Sequence, residues 1–410
     1  MKKIAVVGAG IVGICSAYFL QKSGFKVTII DKEDPGTMTS FGHACTFADY
    51  ASIPVNSPSL FSQIPSMLFK RDSPLAIDFF YLIKNLPWAF KFLKNCRKDK
   101  VEKIAKSLAN FLKHSQLSYD EIFKEVNVSE YIKNEENIYL FDSQKAYDEY
   151  KYATLIRKKN NVKVVELSKN EIHDLEPNLA PVYYSGQLFV GSRHTTNPLS
   201  ISRKIFENFL LRGGKYIKEN VKNVSQKENS IEVSLENKRI ECDEMIICAG
   251  AWSNIIANMV GENFPLDTER GYHVLFETDQ QLINRPIAWS ESGFYLIQIE
   301  DGIRAAGTVE IAGLNKPPNN QRTNMIERQS RKILPQLGKV KYTWMGRRPT
   351  LPDALPIIGR SEKNKNILFA FGHQHIGWTL AAVTGKAINE LIKGNKPNFD
   401  INAFSPNRFK

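Results

Sequence analysis

Ile4-Ala5-Val6-Val7-Gly8-Ala9-Gly10-Ile11-Val12-Gly13 opens the chain with a short apolar run that breaks directly into glycines spaced Gly-x-Gly-x-x-Gly. Such a run suits a strand buried on both faces of a parallel sheet. The first glycine permits a tight turn, the second lets backbone approach a pyrophosphate, and the third lets the next helix pack closely on the strand. Apolar residues then recur at helical spacing from Ile11 to Gln21, Gly24 ends the helix, and Lys26 to Ile30 supply a second strand closing on Asp31. That acid stands about where a carboxylate accepts the ribose hydroxyls of adenosine. Strand, glycines, helix, second strand and terminal acid in one unit predict dinucleotide binding, with the pyrophosphate at the helix N-terminus. The motif alone does not separate FAD from NAD.

Downstream, Pro35 to Ala44 form a loop rich in small and hydroxyl residues, able to donate to a phosphate or to serve as a surface turn. Asp243 to Trp252 read as another buried strand ending in small residues that allow close backbone approach to a cofactor. Near the C-terminus, Asn366 to Phe371 form a last apolar strand, and Gly372-His373-Gln374-His375-Ile376-Gly377 turn into a helix beginning near Trp378. A second helix N-terminus suits a second negative group. Reduced flavin carries negative charge near its N1 and O2 atoms and benefits from that dipole, whereas a nicotinamide needs no such partner.

Alternating segments at 137–141, 186–190, 271–276, 294–299 and 303–309 predict one antiparallel sheet. Their interruption by αβ units implies a second domain inserted in pieces. The expected division is a nucleotide-binding domain of 1–53, 145–255 and 340–410, and a substrate domain of 54–144 and 256–339. Residues 54–133 read as helical. Within them Phe79 to Leu93 is apolar, punctuated by lysines and broken by Pro87. This pattern suits an interfacial segment with snorkelling lysines or a helix packed over the site, the second being preferred.

With 410 residues, two domains are the starting expectation. The net charge of +12 is spread along the chain without a nucleic-acid motif, so no nucleic-acid partner is expected. Five cysteines, odd in number and without a Cys-x-x-Cys pair, suggest neither a disulfide framework nor a metal site and fit a reducing cytoplasm. Lys2-Lys3 before an apolar run superficially resembles a signal peptide, but its glycine spacing argues otherwise.

Together with the opening glycines, the Thr39-Ser40 loop, Arg348-Pro349-Thr350-Leu351-Pro352-Asp353-Ala354-Leu355-Pro356-Ile357-Ile358-Gly359 and the 372–379 stretch resemble the D-amino acid oxidase type flavoprotein superfamily, with the bacterial D-amino acid dehydrogenase small subunits as the nearest group. The resemblance spans nearly the whole chain. It implies an α/β architecture: a Rossmann-like, glutathione-reductase-like FAD-binding domain with an interleaved α+β substrate domain. FAD is expected to be held without a covalent bond, because the C-terminal glycine region lacks the attaching cysteine of some relatives. Its implied contacts are Gly8, Gly10, Ile11, Val12, Gly13, Asp31, Lys32, Thr39, Ser40, His43, Ala44, Val221, Ala249, Gly250, Trp252, Gly372, His373, Gln374, Ile376, Gly377, Trp378 and Thr379, of which His43 departs from the usual small-residue pattern.

On the matching positions Arg348 pairs with the substrate carboxylate, for which a guanidinium offers two parallel donors. Arg347 should point to the other strand face. Tyr295 is expected to complete the pocket, His375 to face the substrate, and Tyr272, with His273, to reach it. The implied reaction is hydride transfer from the α-carbon of a small D-amino or imino acid to flavin N5, giving an imine. Glycine, sarcosine or hydroxy-D-proline are alternative substrates, and a nicotinamide enzyme is the rival class. Electrons would pass to a quinone, another carrier or oxygen, from a cytoplasmic enzyme or one seated peripherally on the inner face of the cytoplasmic membrane.

Overall fold

The computed structural model describes residues 1–58 and 73–409. Strand Lys3–Val7 sends Ile4 and Val6 into the core that holds Ile14, Leu20 and Ala381, and Ala5 and Val7 into the core that holds Val233, Ile247 and Phe369. A strand with apolar neighbours on both sides belongs inside a sheet. It lies between Lys26–Asp31 and Glu244–Ile247, both parallel to it. Lys215–Lys218 and Ile367–Phe371 extend this sheet in parallel, and Ile357–Arg360 closes one edge antiparallel. The dinucleotide-binding architecture expected from the opening motif is therefore present.

Helices Ile11–Lys22 and Gly377–Lys393 lie on one face of this sheet and share one apolar core. They meet backbone to backbone: a Cβ built at Gly385 would stand 2.8 Å from the carbonyl carbon of Cys15. Their close approach sets both N-termini at the same cavity, lined by Ile11 and Val12 from one helix and Gly377 and Trp378 from the other.

Among the described residues the second sheet has nine strands, with Val340–Thr350, Asp267–Phe276, Gly302–Ile311, Phe294–Ile299 and Ile287–Trp289 adjacent in that order. Most pairings are antiparallel, as expected, but Ile138–Phe141 joins Ile287–Trp289 in parallel and Leu75–Ile77 joins Gly302–Ile311 in parallel. The domain boundaries need correction. Val164–Leu167 and Ser185–Phe189, expected in the nucleotide-binding domain, pair within this sheet, as does Val340–Thr350. Alternating apolar residues mark a half-buried strand without stating which sheet it joins.

Of the stretch read as helical from 54 to 133, residues 59–72 lie outside the described ones. The remainder holds helices Phe79–Lys84, Leu86–Lys94, Lys98–Leu112 and Ser115–Phe123. Asp78 caps the first by accepting the Tyr81 N–H, and Pro87 sits in the first turn of the second. The pair is fixed to the substrate domain by hydrogen bonds from the Tyr81 hydroxyl to Asp267 (2.7 Å) and from Trp88 Nε1 to the Pro265 carbonyl (2.9 Å). None of its residues lines the cavity, so the preferred reading of a helix over the site is corrected. Instead Phe79, Phe80 and Phe90 stand in solvent, 67, 77 and 67% exposed. No helix among the described residues is long and apolar enough to cross a membrane.

Candidate active site

A cavity of about 730 Å³ runs between the two sheets. At one end Gly8, with φ +116°, lets the chain pass so close to Cys248 that a Cβ there would stand 2.4 Å from the Cys248 carbonyl oxygen. Gly13 packs the helix on the turn and does not line the cavity; its Cβ would stand 1.9 Å from the Gly8 oxygen. Asp31 accepts the N–H groups of Ala9 (2.6 Å) and Glu33 (3.0 Å), and burial pushes its carboxyl above the usual range. Ser40 Oγ accepts the Ile11 N–H (3.0 Å), while Thr39 Oγ1 donates to the Arg347 carbonyl (3.0 Å). Gly10, Lys32, Val221, Ala249, Gly250 and Trp252 complete this end of the wall.

In the middle of the cavity, His43 Nδ1 accepts the Cys45 N–H at 2.9 Å, which places the ring proton on Nε2. Burial, then the charges of Arg304 and His273, hold this histidine well below its ordinary pKa, so the ring is neutral. It stacks on Trp378 with centroids 4.5 Å apart. Both His43 Nε2 and Trp378 Nε1 are buried donors without an acceptor among the described residues. Two orphaned N–H groups on a cavity wall, beside a helix N-terminus, fit a ligand that brings its own acceptors, as the nitrogen and oxygen edge of a flavin does. Arg304 Nη1 ties the loop down from behind by donating to the carbonyls of Phe41 (2.8 Å) and His43 (3.2 Å).

Ala44, His373, Gln374, Gly377 and Thr379 also line this part, and Thr379 Oγ1 accepts the Ala48 N–H at 2.9 Å. His373 shares a 3.0 Å hydrogen bond with Thr384, and burial lowers its pKa to about 3. Besides Gly13, two expected contacts are not brought to the wall. Ile376 is buried in the core, and Gly372, with φ +86°, makes the turn itself.

At the far end the Arg348 guanidinium lies across Gly271, where a Cβ would stand 2.3 Å from Nη2. Nη1 donates to the Thr308 carbonyl (2.7 Å) and Nη2 to that of Gly307 (3.3 Å). Directly opposite Arg348 in strand register is Glu269, 3% exposed and on the same wall. Burial raises its carboxyl to about 7, with Arg348 opposing and Asp267 adding to the rise. The Tyr295 hydroxyl donates to that of Tyr139 at 2.5 Å and lies 3.1 Å from that of Tyr50, which accepts from Asn137 Nδ2 (3.0 Å). The ring of His375 is open to the cavity, and its desolvated surroundings, then the charge of Arg348, lower its pKa to about 4.

Arg348, Tyr295 and His375 are thus brought together, and Tyr272 is not. Side chains alternate along a strand; Glu269 and Gly271 face the cavity, so Arg270 and Tyr272 face away. The Tyr272 hydroxyl donates to Glu310 at 2.5 Å, and Arg270 lies 3.4 Å from the same carboxylate. His273 is buried beneath the 40–44 loop, its Nδ1 3.2 Å from the Gly42 carbonyl. Arg347 leaves the cavity to lie over the Trp252 ring at 5.6 Å and to donate to the Leu314 carbonyl at 2.6 Å. Glu269 and Tyr139 escaped the sequence reading, although the two-residue alternation from Gly271 points to Glu269 once Gly271 is known to face the site.

The chain matches the family model described as FAD dependent oxidoreductase, DAO, over residues 3–391. It is 33% identical to a D-amino-acid oxidase of Bradyrhizobium diazoefficiens, covering 100% of this chain and 99% of that one. It is 26% identical to a D-amino acid dehydrogenase of Vibrio vulnificus, covering 96% of each. Among solved structures, glycine oxidase from Geobacillus kaustophilus superposes with a TM-score of 0.75 at 17% identity, covering 100% of this chain and 99% of that one. With the family model matched through both sheets and a relative 33% identical over its full length, the chain belongs to the DAO family of FAD-dependent oxidoreductases.

Proposed function

We propose that the protein oxidises the α-carbon to nitrogen bond of a small D-amino or imino acid, whose carboxylate is held by Arg348. The observation that carries this reading is the Arg348 guanidinium, on the cavity wall and without a carboxylate partner within ion-pairing distance among the described residues. A half-buried cation turned to the cavity calls for an anion from the ligand. Its backbone anchors fix the fork so that a planar carboxylate meets parallel donors. The names of the two relatives support an amino acid substrate of D configuration.

FAD, held without a covalent bond by the glycine turn, the Ser40–Ala44 loop and the Gly377–Lys393 N-terminus, supplies the two-electron acceptor. The chain's own residues contribute orientation and dryness. Tyr295 and Tyr139 wall the pocket opposite the arginine strand, and neutral His375 adds no competing charge. Positioning of this kind supplies a large part of the rate. The test is Arg348→Leu: turnover should fall by several powers of ten while the visible flavin band persists, and unimpaired oxidation would remove Arg348 from the reaction. A panel of D-amino acids, N-methylglycines and D-proline derivatives with a dye acceptor separates D-amino acids from glycine, sarcosine and hydroxy-D-proline.

We infer further that the protein docks peripherally on an anionic lipid surface and delivers electrons there to a quinone. Exposed Phe79, Phe80 and Phe90 lie among exposed Lys84, Lys91 and Lys94, and residues 79–98 contain no Asp or Glu. Aromatic side chains for the headgroup boundary and lysines for its charge are the composition of an interfacial helix pair.

A further inference from the structure

Glu269 is a buried carboxyl on a cavity wall with no cation within ion-pairing distance among the described residues. Its neighbour Arg348 spends two donors on the carbonyls of Thr308 and Gly307, and the donors that reach Glu269 are neutral: Gln374 Nε2, at 3.4 Å from Oε1, and the Thr350 side chain. A buried acid of this kind costs stability unless something else rewards it. Glu269 stands directly across the strand pair from Arg348, and cross-strand neighbours on one face have Cβ atoms about 5 Å apart. A guanidinium and a carboxyl at that separation form the complement of an α-amino acid, whose own carboxylate and nitrogen are joined through one carbon.

We propose that Glu269 receives the amino group of the substrate beside the carboxylate held by Arg348 and takes its proton. This rests on the function proposed above. The step is a simple transfer: an N–H bond of the ammonium breaks, an O–H bond forms on Glu269, and the electron pair stays on nitrogen. The neutral amine then has the lone pair that oxidation of the α-carbon requires. The proton on Glu269 returns to water as product leaves.

The charged and titratable groups around Glu269 favour this role. Arg348 faces it from the adjacent strand, Asp267 lies on its own strand, Gln374 and His375 approach from the C-terminal turn, and Thr350 bonds it from the arginine strand. Burial and Asp267 raise the affinity of the carboxyl for a proton, and Arg348 limits the rise, leaving it near 7. An acid of that strength is matched to proton transfer near neutral pH. His375, lowered to about 4, is already neutral and does not compete over the same range.

The experiment uses FAD-loaded protein and 2-aminoisobutyrate, an amino acid without an α-hydrogen, so that binding is read without turnover. Calorimetry in buffers of different ionisation enthalpy counts protons released. Wild type should release close to one proton below pH 6 and none above pH 8, with affinity rising about tenfold per pH unit up to 7. In Glu269→Gln the release and the pH dependence should vanish. With the best oxidisable substrate, kcat/KM of Glu269→Gln should fall on the order of a hundredfold or more near pH 7.5 and recover as pH approaches that of the free amine. A Glu269→Gln profile parallel to wild type, in binding and in kinetics, overturns the proposal. Failure of 2-aminoisobutyrate to bind wild type, with FAD in place and no amino acid oxidised, would instead sink the functional reading beneath it.

Discussion

A methyl group at Gly271 would stand 2.3 Å from Arg348 Nη2, and the guanidinium cannot retreat without giving up the carbonyls of Gly307 and Thr308. Gly271→Ala is therefore expected to lower kcat/KM by about a hundredfold, the cost of misplacing a clamp by an ångström, with FAD retained. Steady-state kinetics beside a flavin spectrum check this, and unaltered kinetics would show that the arginine works from another position. Glu269 carries a second residue-level prediction. Its folded value near 7 lies above the ordinary 4.5, so the folded state holds the proton more tightly and stability is lost as pH rises through that window. The loss is complete above 7 and amounts to roughly 3 kcal/mol. Glu269→Gln should accordingly raise the melting temperature of the FAD-loaded protein by roughly 3 °C near pH 8 and leave it nearly unmoved near pH 4, below the ordinary value. An equal shift at both values would mean that Glu269 is ionised, or neutral, throughout. Such a residue was hidden in the sequence because Thr268-Glu269-Arg270-Gly271 reads as an ordinary charged strand end. Only the pairing register shows which member of Glu269 and Arg270 looks into the cavity, and the same register turned Tyr272 away toward Glu310.

Helices Ile11–Lys22 and Gly377–Lys393 come from opposite ends of the chain, yet their N-termini meet at one cavity because Gly385 lets their backbones touch. Filling that contact should push the helices apart and spoil the shared N-terminal site. For Gly385→Val the expectation is a loss of about 1 to 3 kcal/mol, the usual cost of overpacking, together with weakened FAD retention on gel filtration. A variant that melts early but keeps its flavin would separate packing from cofactor binding and count against this arrangement. At the scale of elements the sequence was legible where periodicity and length agreed: the first βαβ unit, the strand before Gly372 and the helix after it stand where their apolar patterns place them. It was less legible in the short strands. The 186–190 segment was recognisable and joins the antiparallel sheet as expected, whereas Val164–Leu167 and Val340–Thr350 were not read as strands, and their place in that sheet depends on partners far away in sequence.

For the whole molecule, the apolar stretch near residue 80 could not be placed from its pattern, since a helix packed over a site and a helix lying on a membrane carry the same residues. The distinction lies in what covers it. Tyr81 and Trp88 tie the helix pair to the substrate domain from the inside, and Phe79, Phe80 and Phe90 are left outward with Ile83 and Leu86 also exposed. Five basic residues, Lys84, Lys91, Lys94, Arg97 and Lys98, share this acid-free stretch, and all are exposed. Each basic group near an anionic leaflet contributes about 1 kcal/mol, and the contribution falls within a Debye length of the surface. Insertion of aromatic rings adds an apolar contribution that salt does not screen. The two parts can be told apart on vesicles of phosphatidylcholine and phosphatidylglycerol. Replacing Lys84, Lys91 and Lys94 by Gln should weaken co-sedimentation at low salt by more than tenfold and flatten its salt dependence. Replacing Phe79, Phe80 and Phe90 by Ser should lower binding at every salt concentration. Dye-linked oxidation should be unchanged in both variants, because none of the six residues lines the cavity, whereas reduction of a quinone dissolved in the vesicles should fall with binding. If wild type stays in the supernatant at low salt, the aromatic face serves some other contact and the electrons leave by a route in water.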